Sequence, residues 1–246
     1  MGRMRQRVRD GVNVLLERFL HYRLTHRDLS LDSNVDALQC LAKAGLVFRQ
    51  AMDVGAARGA WTRAMLPRLP ECRFTMIEPL AENCAALDAV QAMSGGRAVY
   101  RNEAVGRQSG TLTLNVHHDQ TSCFASEWGG APRNVPVHRL DDLLADGLVA
   151  PFELLKMDVQ GAEMDVLAGA ERALATCQAA QIEVSFRRVY DGAPLAHEVM
   201  VCMAGHGFRI FDVCNTYKRP KDRALLQADM VFARDGQWFQ PETWRA

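Results

Sequence analysis

Short apolar runs alternate along the chain with segments in which apolar residues recur at helical spacing. Five runs predict β-strands: Phe48–Val54, Cys72–Glu78, Ala98–Arg101, Phe152–Met157 and Ala180–Phe186. The intervening segments predict helices that include Trp61–Leu69 and Ala162–Ala175. Strands and helices in this alternation are typical of a mostly parallel sheet covered by helices. The pattern therefore predicts an α/β fold.

The alternation breaks after the third strand. Gly110–His117 has a strict period of two, which predicts an antiparallel hairpin element inserted between strands 3 and 4. Residues 117–136 are polar and contain Trp128, and we predict a surface loop over the site there. Phe208–Val213 and Ala228–Ala233 flank a polar turn and predict a terminal β-hairpin that contributes one antiparallel strand.

The first residues have a different pattern. Val12–Leu24 and Asn34–Ala44 carry apolar residues at helical spacing, so we expect an N-terminal helical extension over residues 1–47 and a core over 48–235 within one domain. Four arginines precede the first helix, but its apolar run is broken by Glu17 and Arg18, which does not fit a secretion signal. We expect a solvated helix that covers one edge of the domain, and an amphipathic helix that lies on a membrane surface is the alternative.

Composition narrows the classes of function. The formal net charge is +0, so no global field favours nucleic acid or an anionic membrane, and no apolar run is long enough to span a bilayer. The 7 cysteines are scattered singly without a C-x-x-C pair, which indicates a reducing compartment and predicts a cytoplasmic protein without a zinc ribbon. A homodimer is compatible with these features.

A glycine turn follows the first strand. Asp53 ends the strand, and Gly55 and Gly59 lead into a helix, so that backbone N–H groups can approach a ligand closely. Position 57 is alanine, which leaves the glycine pattern of a pyrophosphate site incomplete. The turn therefore suits S-adenosylmethionine, which needs no phosphate site. The alternative is an ordinary strand-to-helix turn.

Two further strand ends carry acids. Glu78 ends the second strand before Pro79, where a carboxylate can accept both ribose hydroxyls of a nucleoside. Asp158 ends the fourth strand, followed by Gly161 and by Glu163 in the first helical turn. These two acids could act as a general base and its orienting partner, or as ligands of a divalent cation. Alternatively, Glu163 only stabilises the helix N-terminus.

The run Leu155–Ala170 resembles the signature of the FkbM family of S-adenosylmethionine-dependent methyltransferases, whose usual form is L-K-I-D-V-E-G-A-E-x-x-V-L-x-G-A. The resemblance extends to four further segments: Asp53–Gly59, Ile77–Pro79, Asn102–Gly106 and Ile182–Ser185. Two positions depart from the family. Gln160 stands where the family often has glutamate, which weakens any argument for a metal, and Ala57 stands where asparagine is frequent.

The resemblance implies a Rossmann-like class I methyltransferase fold, with seven strands and the last pair reversed, and usually methylation of a hydroxyl oxygen. It implies S-adenosylmethionine as cofactor and S-adenosylhomocysteine as product. By position, the methionine moiety would be held around Asp53, Gly55, Ala56, Ala57 and Gly59, the ribose by Glu78 beside Pro79, and the adenine near Asn102, Glu103 and Ala104, with Asp158 also in the cofactor set. Asp158 and Glu163 would face the acceptor.

Several points stay open at this level. The base is predicted to be Asp158, or else a histidine of the 117–118 pair, with His118 as the candidate. Glu183 is a third candidate acid or cation ligand, unless it pairs with an arginine such as Arg187. The acceptor is a small molecule or a glycan, for example a sugar, a polyketide or a lipid-linked glycan. N-methylation of a peptide or amino sugar and a non-catalytic cofactor-binding scaffold are the competing hypotheses.

Overall fold

The computed structural model of the protein describes residues 34–116, 121–124 and 130–236. The helices are α1 (Asn34–Lys43), α2 (Ala60–Met65), α3 (Cys84–Met93), α4 (Leu140–Ala145), α5 (Glu163–Ala168) and α6 (Ala196–Gly205). The strands are β1 (Gln50–Val54), β2 (Arg73–Ile77), β3 (Ala98–Arg101), β4 (Ala104–Val105), β5 (Gly110–Val116), β6 (Ala131–His138), β7 (Leu154–Met157), β8 (Ala179–Ser185), β9 (Phe208–Lys218) and β10 (Leu225–Arg234).

Seven strands form the main sheet in the order β3-β2-β1-β7-β8-β10-β9. β10 runs antiparallel to both of its neighbours, and the pairs from β3 to β8 are parallel. This arrangement confirms the predicted Rossmann-like class I methyltransferase fold with its terminal hairpin. The chain moves outward from β1 to β3 and then returns to β7 on the other side of β1. The switch point between β1 and β7 is where α/β sheets bind ligands.

The apolar strands form because both faces of the main sheet are covered. Met52 and Val54 of β1 contribute to one buried cluster, whereas Ala51 of the same strand contributes to the cluster on the other face. β7 divides in the same way, with Leu155 and Leu154 on opposite sides. Strands buried on two faces need continuous rather than alternating apolar residues, which is the pattern seen in the sequence.

A three-stranded sheet in the order β4-β6-β5 is inserted between β3 and β7. The predicted insertion is confirmed, but the prediction of a loop over 117–136 is wrong for its last part, because β6 begins at Ala131 and pairs antiparallel with β5. Pro132 and Pro136 disfavour a strand over these residues, because proline has no backbone N–H to donate. They are accommodated because β4 pairs with only Val137 and His138, so most of β6 has a neighbour on one side only.

The helix predicted over 162–175 is shorter than expected. α5 ends at Ala168, and a short 3-10 turn follows at Ala173–Ala175. A Cβ on Gly169 would lie 2.0 Å from the carbonyl oxygen of Gly106, so the chain turns where the inserted segment approaches it. The Asp141 carboxylate accepts the backbone N–H groups of Arg172 and Ala173, which fixes the 3-10 turn.

Two other predicted helices are present in the structure. The helix predicted over 34–44 is confirmed as α1, and the one predicted over 61–69 is present as the shorter α2. Val12–Leu24 and the rest of the first 33 residues lie outside the described residues, as does Trp128. Within the described ranges, no helix combines the length and apolar character needed to cross a membrane.

Candidate functional site

A cavity of about 960 Å³ lies at the carboxyl ends of β1, β2 and β7, under the inserted sheet. The main-sheet side of its lining includes Gly55, Ala57, Glu78, Pro79, Asp158 and Gln160. The inserted-sheet side includes Ala104, Leu112, Leu114, Val116, Thr121 and Cys123. The cavity therefore occupies the switch point of the main sheet, with polar groups on one wall and mostly apolar groups on the other.

The glycine turn brings two strand ends together. Gly55 has a φ of +71°, and a Cβ there would lie 1.8 Å from the carbonyl oxygen of Asp158. The N–H groups of Gly55 and Ala56 donate to the carbonyl of Ile77, so they stabilise the turn and do not point into the cavity. Gly59 packs against Val90 on α3 and does not line the cavity. Glycine is needed at 55 and 59 for close packing within the protein.

A buried ion pair lies beneath this turn. The Lys156 ammonium is 3.1 Å from Asp53 Oδ1 and donates a hydrogen bond to the carbonyl of Gly55 at 2.7 Å. Thr62 Oγ1 donates to the other oxygen of Asp53, whose residue is 0% exposed. Burial acts to lower the pKa of Lys156, but Asp53, Asp158 and Asp229 outweigh it and raise the pKa. Asp53 therefore supports the turn through Lys156 and does not line the cavity.

Glu78 closes the end of β2. Its carboxylate accepts the backbone N–H groups of Ala57 at 2.8 Å and Leu80 at 3.0 Å, and the side-chain amide of Asn83 at 3.1 Å. Burial raises the pKa of Glu78, and these hydrogen bonds act against the increase. Ala57 has a φ of +47°, which turns its N–H toward the acid. Glu78, Ala57 and Pro79 all line the cavity.

Of the three residues predicted near the adenine, one lines the cavity and two do not. Ala104 lines the cavity, whereas Asn102 donates its side-chain amide to the backbone carbonyl of Glu78. Glu103 is buried and pairs with Arg101 and, at 3.6 Å, with His138. Asn102 thus connects the segment after β3 to the end of β2, Glu103 contacts β6, and Ala104 lines the cavity.

The acids at the other end of the cavity are joined by amide groups. Asp158 follows β7, and Gln160 Nε2 donates to Asp158 Oδ1 at 2.7 Å and to Glu183 Oε2 at 2.9 Å. Gln227 Nε2 also donates to Glu183 Oε2, at 3.0 Å. Burial, together with Asp158, Asp229 and Glu163, raises the pKa of Glu183 to about 8. Among the described residues Glu183 forms no ion pair with Arg187, so the proposed arginine partner is wrong.

Glu163 lies behind the turn, and not on the cavity surface. Its Oε1 accepts the backbone N–H of Gly161 at 3.0 Å, and burial raises its pKa to about 7. This geometry favours the alternative role of stabilising the start of α5. His118 and its neighbour His117 lie outside the described residues. In the ranges that the structure describes, no group of three or more His, Cys, Asp or Glu residues is arranged to hold a metal ion.

Several contributors were not identified from the sequence. Lys156 is a charged residue between Leu155 and Met157 in an otherwise apolar strand, and this position is itself a signal of a buried partner. The cavity wall from Leu112 and Leu114 depends on how the inserted sheet folds back, which no local pattern specifies. Tyr190, which donates to Gln160 Oε1, comes from a segment without a motif.

Sequence comparisons find known proteins that are similar to this chain. The family model "Methyltransferase FkbM domain" matches residues 53–210. The chain is 25% identical over 158 residues to the 2-O-methyltransferase NoeI of Sinorhizobium fredii (strain NBRC 101917 / NGR234), which covers 57% of this chain. The chain spans only 65% of the length of that relative.

Two solved structures resemble the chain at low identity. Methyltransferase FkbM from Methylobacillus flagellatus KT is 19% identical with a TM-score of 0.46, covering 74% of this chain and 43% of that one. Precorrin-6y C5,15-methyltransferase from Geobacter metallireducens GS-15 is 10% identical with a TM-score of 0.47, covering 87% and 94%. Because the family model extends over more than half of the sequence and contains the residues of the cavity's polar wall, this chain belongs to the FkbM methyltransferase domain family.

Proposed function

We propose that this protein is an S-adenosylmethionine-dependent methyltransferase that methylates a hydroxyl oxygen of a small-molecule or glycan acceptor. The observation that carries the proposal is one cavity with two carboxylates on its polar wall. Glu78 lies at the end of β2, and Asp158 lies at the end of β7. Ligand pockets have volumes of about 300–1,000 Å³. At about 960 Å³, the cavity is large enough for a cofactor together with a small acceptor.

An unused acceptor position in the cavity supports binding of the adenosyl cofactor. A carboxylate offers about four acceptor positions. Three are used by Ala57, Leu80 and Asn83, which leaves one position on Glu78 for a ribose hydroxyl. Gly55 and Ala57 would border the methionine end, and Ala104 the adenine. When bound, S-adenosylmethionine supplies an electrophilic methyl group on a sulfonium.

Asp158 would remove the proton of the acceptor hydroxyl. Its Oδ1 accepts from Gln160, and within the described residues no hydrogen bond to Oδ2 is present, so this oxygen is available to an acceptor in the cavity. The backbone N–H of Asp158 donates to Val54, which fixes the residue against β1. A positioned base contributes typically 10²–10⁴-fold to such a step, and positioning itself can contribute more. The name of the relative NoeI, a 2-O-methyltransferase, supports oxygen as the methylated atom.

The variant Asp158→Asn tests this assignment. We expect binding of S-adenosylhomocysteine, measured by calorimetry, to change little because Glu78 is untouched. Methyl transfer from labelled S-adenosylmethionine to a panel of hydroxylated acceptors is expected to fall by about 10² or more. Asp146→Asn, the same change at an exposed residue, is the matched control.

Four outcomes would contradict the proposal at different points. Near-normal turnover of Asp158→Asn with intact binding would remove the base role. Failure of the wild-type protein to bind S-adenosylhomocysteine would remove the cofactor assignment. Methylation confined to amino acceptors would replace O-methylation by N-methylation, and tight cofactor binding without transfer to any acceptor would favour the scaffold hypothesis.

A further inference from the structure

Gln160 has an unusual backbone conformation for a residue with a side chain. Its φ is +50°, in the left-handed region that favours glycine, and Gly161 follows with a φ of +102°. Ser122 Oγ donates to the carbonyl of Gln160 at 2.6 Å, which ties the turn to the inserted segment. A left-handed non-glycine residue persists where its surroundings hold it, and such positions concentrate at functional sites.

The side-chain amide of Gln160 is fully engaged. Its nitrogen donates to Asp158 Oδ1 at 2.7 Å and to Glu183 Oε2 at 2.9 Å, which uses both of its hydrogens. Its oxygen accepts from the hydroxyl of Tyr190 at 2.7 Å. Burial, with Glu183, Asp158 and Glu163, raises the pKa of Tyr190, so that its hydroxyl remains a donor. Tyr190 therefore sets the orientation in which the amide nitrogen faces the two acids.

The surroundings of this amide are strongly acidic. Met157 pairs with Ile182 and Asp229 pairs with Glu183, so the acids that follow β7 and lie on β8 and β10 are adjacent at one edge of the sheet. The ionisable groups facing the bridge are Asp158 after β7, Lys156 on β7, Glu163 on α5, Asp229 on β10 and Tyr190 before α6. Only Lys156 among these is cationic, and it is committed to Asp53 and Gly55.

We propose that Gln160 is a positioning residue: its amide is a neutral bridge that holds the Asp158 and Glu183 carboxylates together and leaves Asp158 Oδ2 for the acceptor. A glutamate at this position could donate to only one of the two acids, and only when it carried a proton. In the ionised form it would add a third carboxylate to the cluster. The consequence for turnover rests on the proposed methyl transfer. The bridge itself does not depend on any reaction.

Gln160→Glu tests the bridge with almost no change in shape. With glutamate carboxyl groups labelled with ¹³C, NMR titration of the wild type should show Glu183 titrating near pH 8. In the variant we expect the highest carboxyl titration to rise by about one unit or more, because a like charge at this distance shifts a pKa by roughly 1–3 units. Gln91→Glu, on the exposed face of α3, is the matched control and should leave Glu183 unchanged.

A kinetic measurement tests the positioning role. In Gln160→Glu we expect kcat at pH 7 to fall about tenfold or more, with the acidic limb of the pH–rate profile shifted upward by about one unit, and KM for S-adenosylmethionine unchanged within about twofold. Tyr190→Phe keeps both carboxylates but removes the donor that orients the amide, and should lower kcat with the same constancy of KM. Thermal unfolding of both variants verifies that the fold is retained.

The outcomes separate this proposal from the proposed function. Glu183 titrating as in the wild type in Gln160→Glu would overturn the bridge, and so would an unchanged kcat and pH profile in an active enzyme. If the wild-type protein methylates no acceptor, the proposed function fails. The NMR titration then still decides whether Gln160 bridges the two acids.

Discussion

The substitution Lys156→Met should destabilise the protein more than any surface charge change. Within the part of the chain that the structure describes, Lys156 is the one cation paired with Asp53, at 3.1 Å from its Oδ1. Asp53 is 0% exposed, and the Lys156 side chain is 8% exposed. Methionine has a similar length and fits an apolar strand between Leu155 and Met157. The substitution therefore removes the charge and the hydrogen bond to Gly55, with little change in packing.

The magnitude follows from the geometry. Two unit charges 3.1 Å apart interact by about 5 kcal/mol at an effective dielectric constant of about 20. Removing one partner of a buried pair typically costs about 3–5 kcal/mol, because the other charge stays buried. Domains are stable by only about 5–15 kcal/mol. For a domain of this size we therefore expect the Tm to fall by about 6–20 °C.

The assay is a double-mutant cycle followed by urea unfolding. The proteins are the wild type, Lys156→Met, Asp53→Asn and the variant with both changes. We expect the double variant to be more stable than Lys156→Met alone, since an asparagine at position 53 would keep an acceptor for Thr62 without a buried charge. Exposed Lys43→Met on α1 is the matched control and should change the free energy of unfolding by less than about 0.5 kcal/mol.

A loss of less than about 1 kcal/mol in Lys156→Met, well below the cost of an unpaired buried charge, would show that Asp53 does not depend on Lys156 as its partner. A double variant that is no more stable than Lys156→Met would show that the loss comes from the hydrogen bond to Gly55, and not from the unpaired acid. Either result would refute the ion pair as the support of the glycine turn.

Three further outcomes are expected. Gly55→Ala should abolish binding of S-adenosylhomocysteine and lower the Tm strongly, whereas Gly95→Ala, with a φ of +65° but no atom within 4 Å of the new Cβ, should show only the strain of the backbone. Glu78→Gln should weaken S-adenosylhomocysteine binding in calorimetry by about tenfold or more, because a charge-assisted acceptor is lost. The pKa of Glu183 is raised from 4.5 to about 8, so the folded protein keeps a proton that the unfolded chain releases. Its contribution to stability is lost as pH rises through about 8, and Glu183→Gln should flatten this decrease in unfolding measured from about pH 5 to about pH 9.

Sequence patterns were sufficient for the sheet because its strands are buried on both faces. Runs such as Leu154–Met157 carry apolar side chains on both faces of the sheet, so they are recognised without knowing which face is covered. The alternation of strands with helices then leaves few possible topologies. The same reasoning placed Glu78 and Asp158 correctly at strand ends, since parallel strands present their carboxyl ends at one edge. Both acids line the cavity.

The patterns failed where the outcome depends on long-range contacts. β6 was missed because Pro132 and Pro136 are unfavourable for a strand unless one side lacks a neighbour, and β4 covers only two residues of it. The end of α5 is set by the approach of Gly106 to Gly169, which are far apart in sequence. Asp53 has the spacing of a ligand-facing acid, but its strand position buries it, and only the register with Lys156 reveals its partner.

The acid under the glycine turn and the acids beside Gln160 have different kinds of partner. Under the glycine turn, one acid is fully buried and a lysine neutralises it, so the pair can be rigid and dry. At the end of β7, Asp158, the base in the proposed reaction, is hydrogen-bonded to a side-chain amide. An amide satisfies the hydrogen bonds of Asp158 and Glu183 without adding positive charge. The lysine at 156 therefore balances the buried acid beneath the glycine turn, whereas the glutamine at 160, only a few residues away, holds the two acids of the proposed proton transfer without adding a charge.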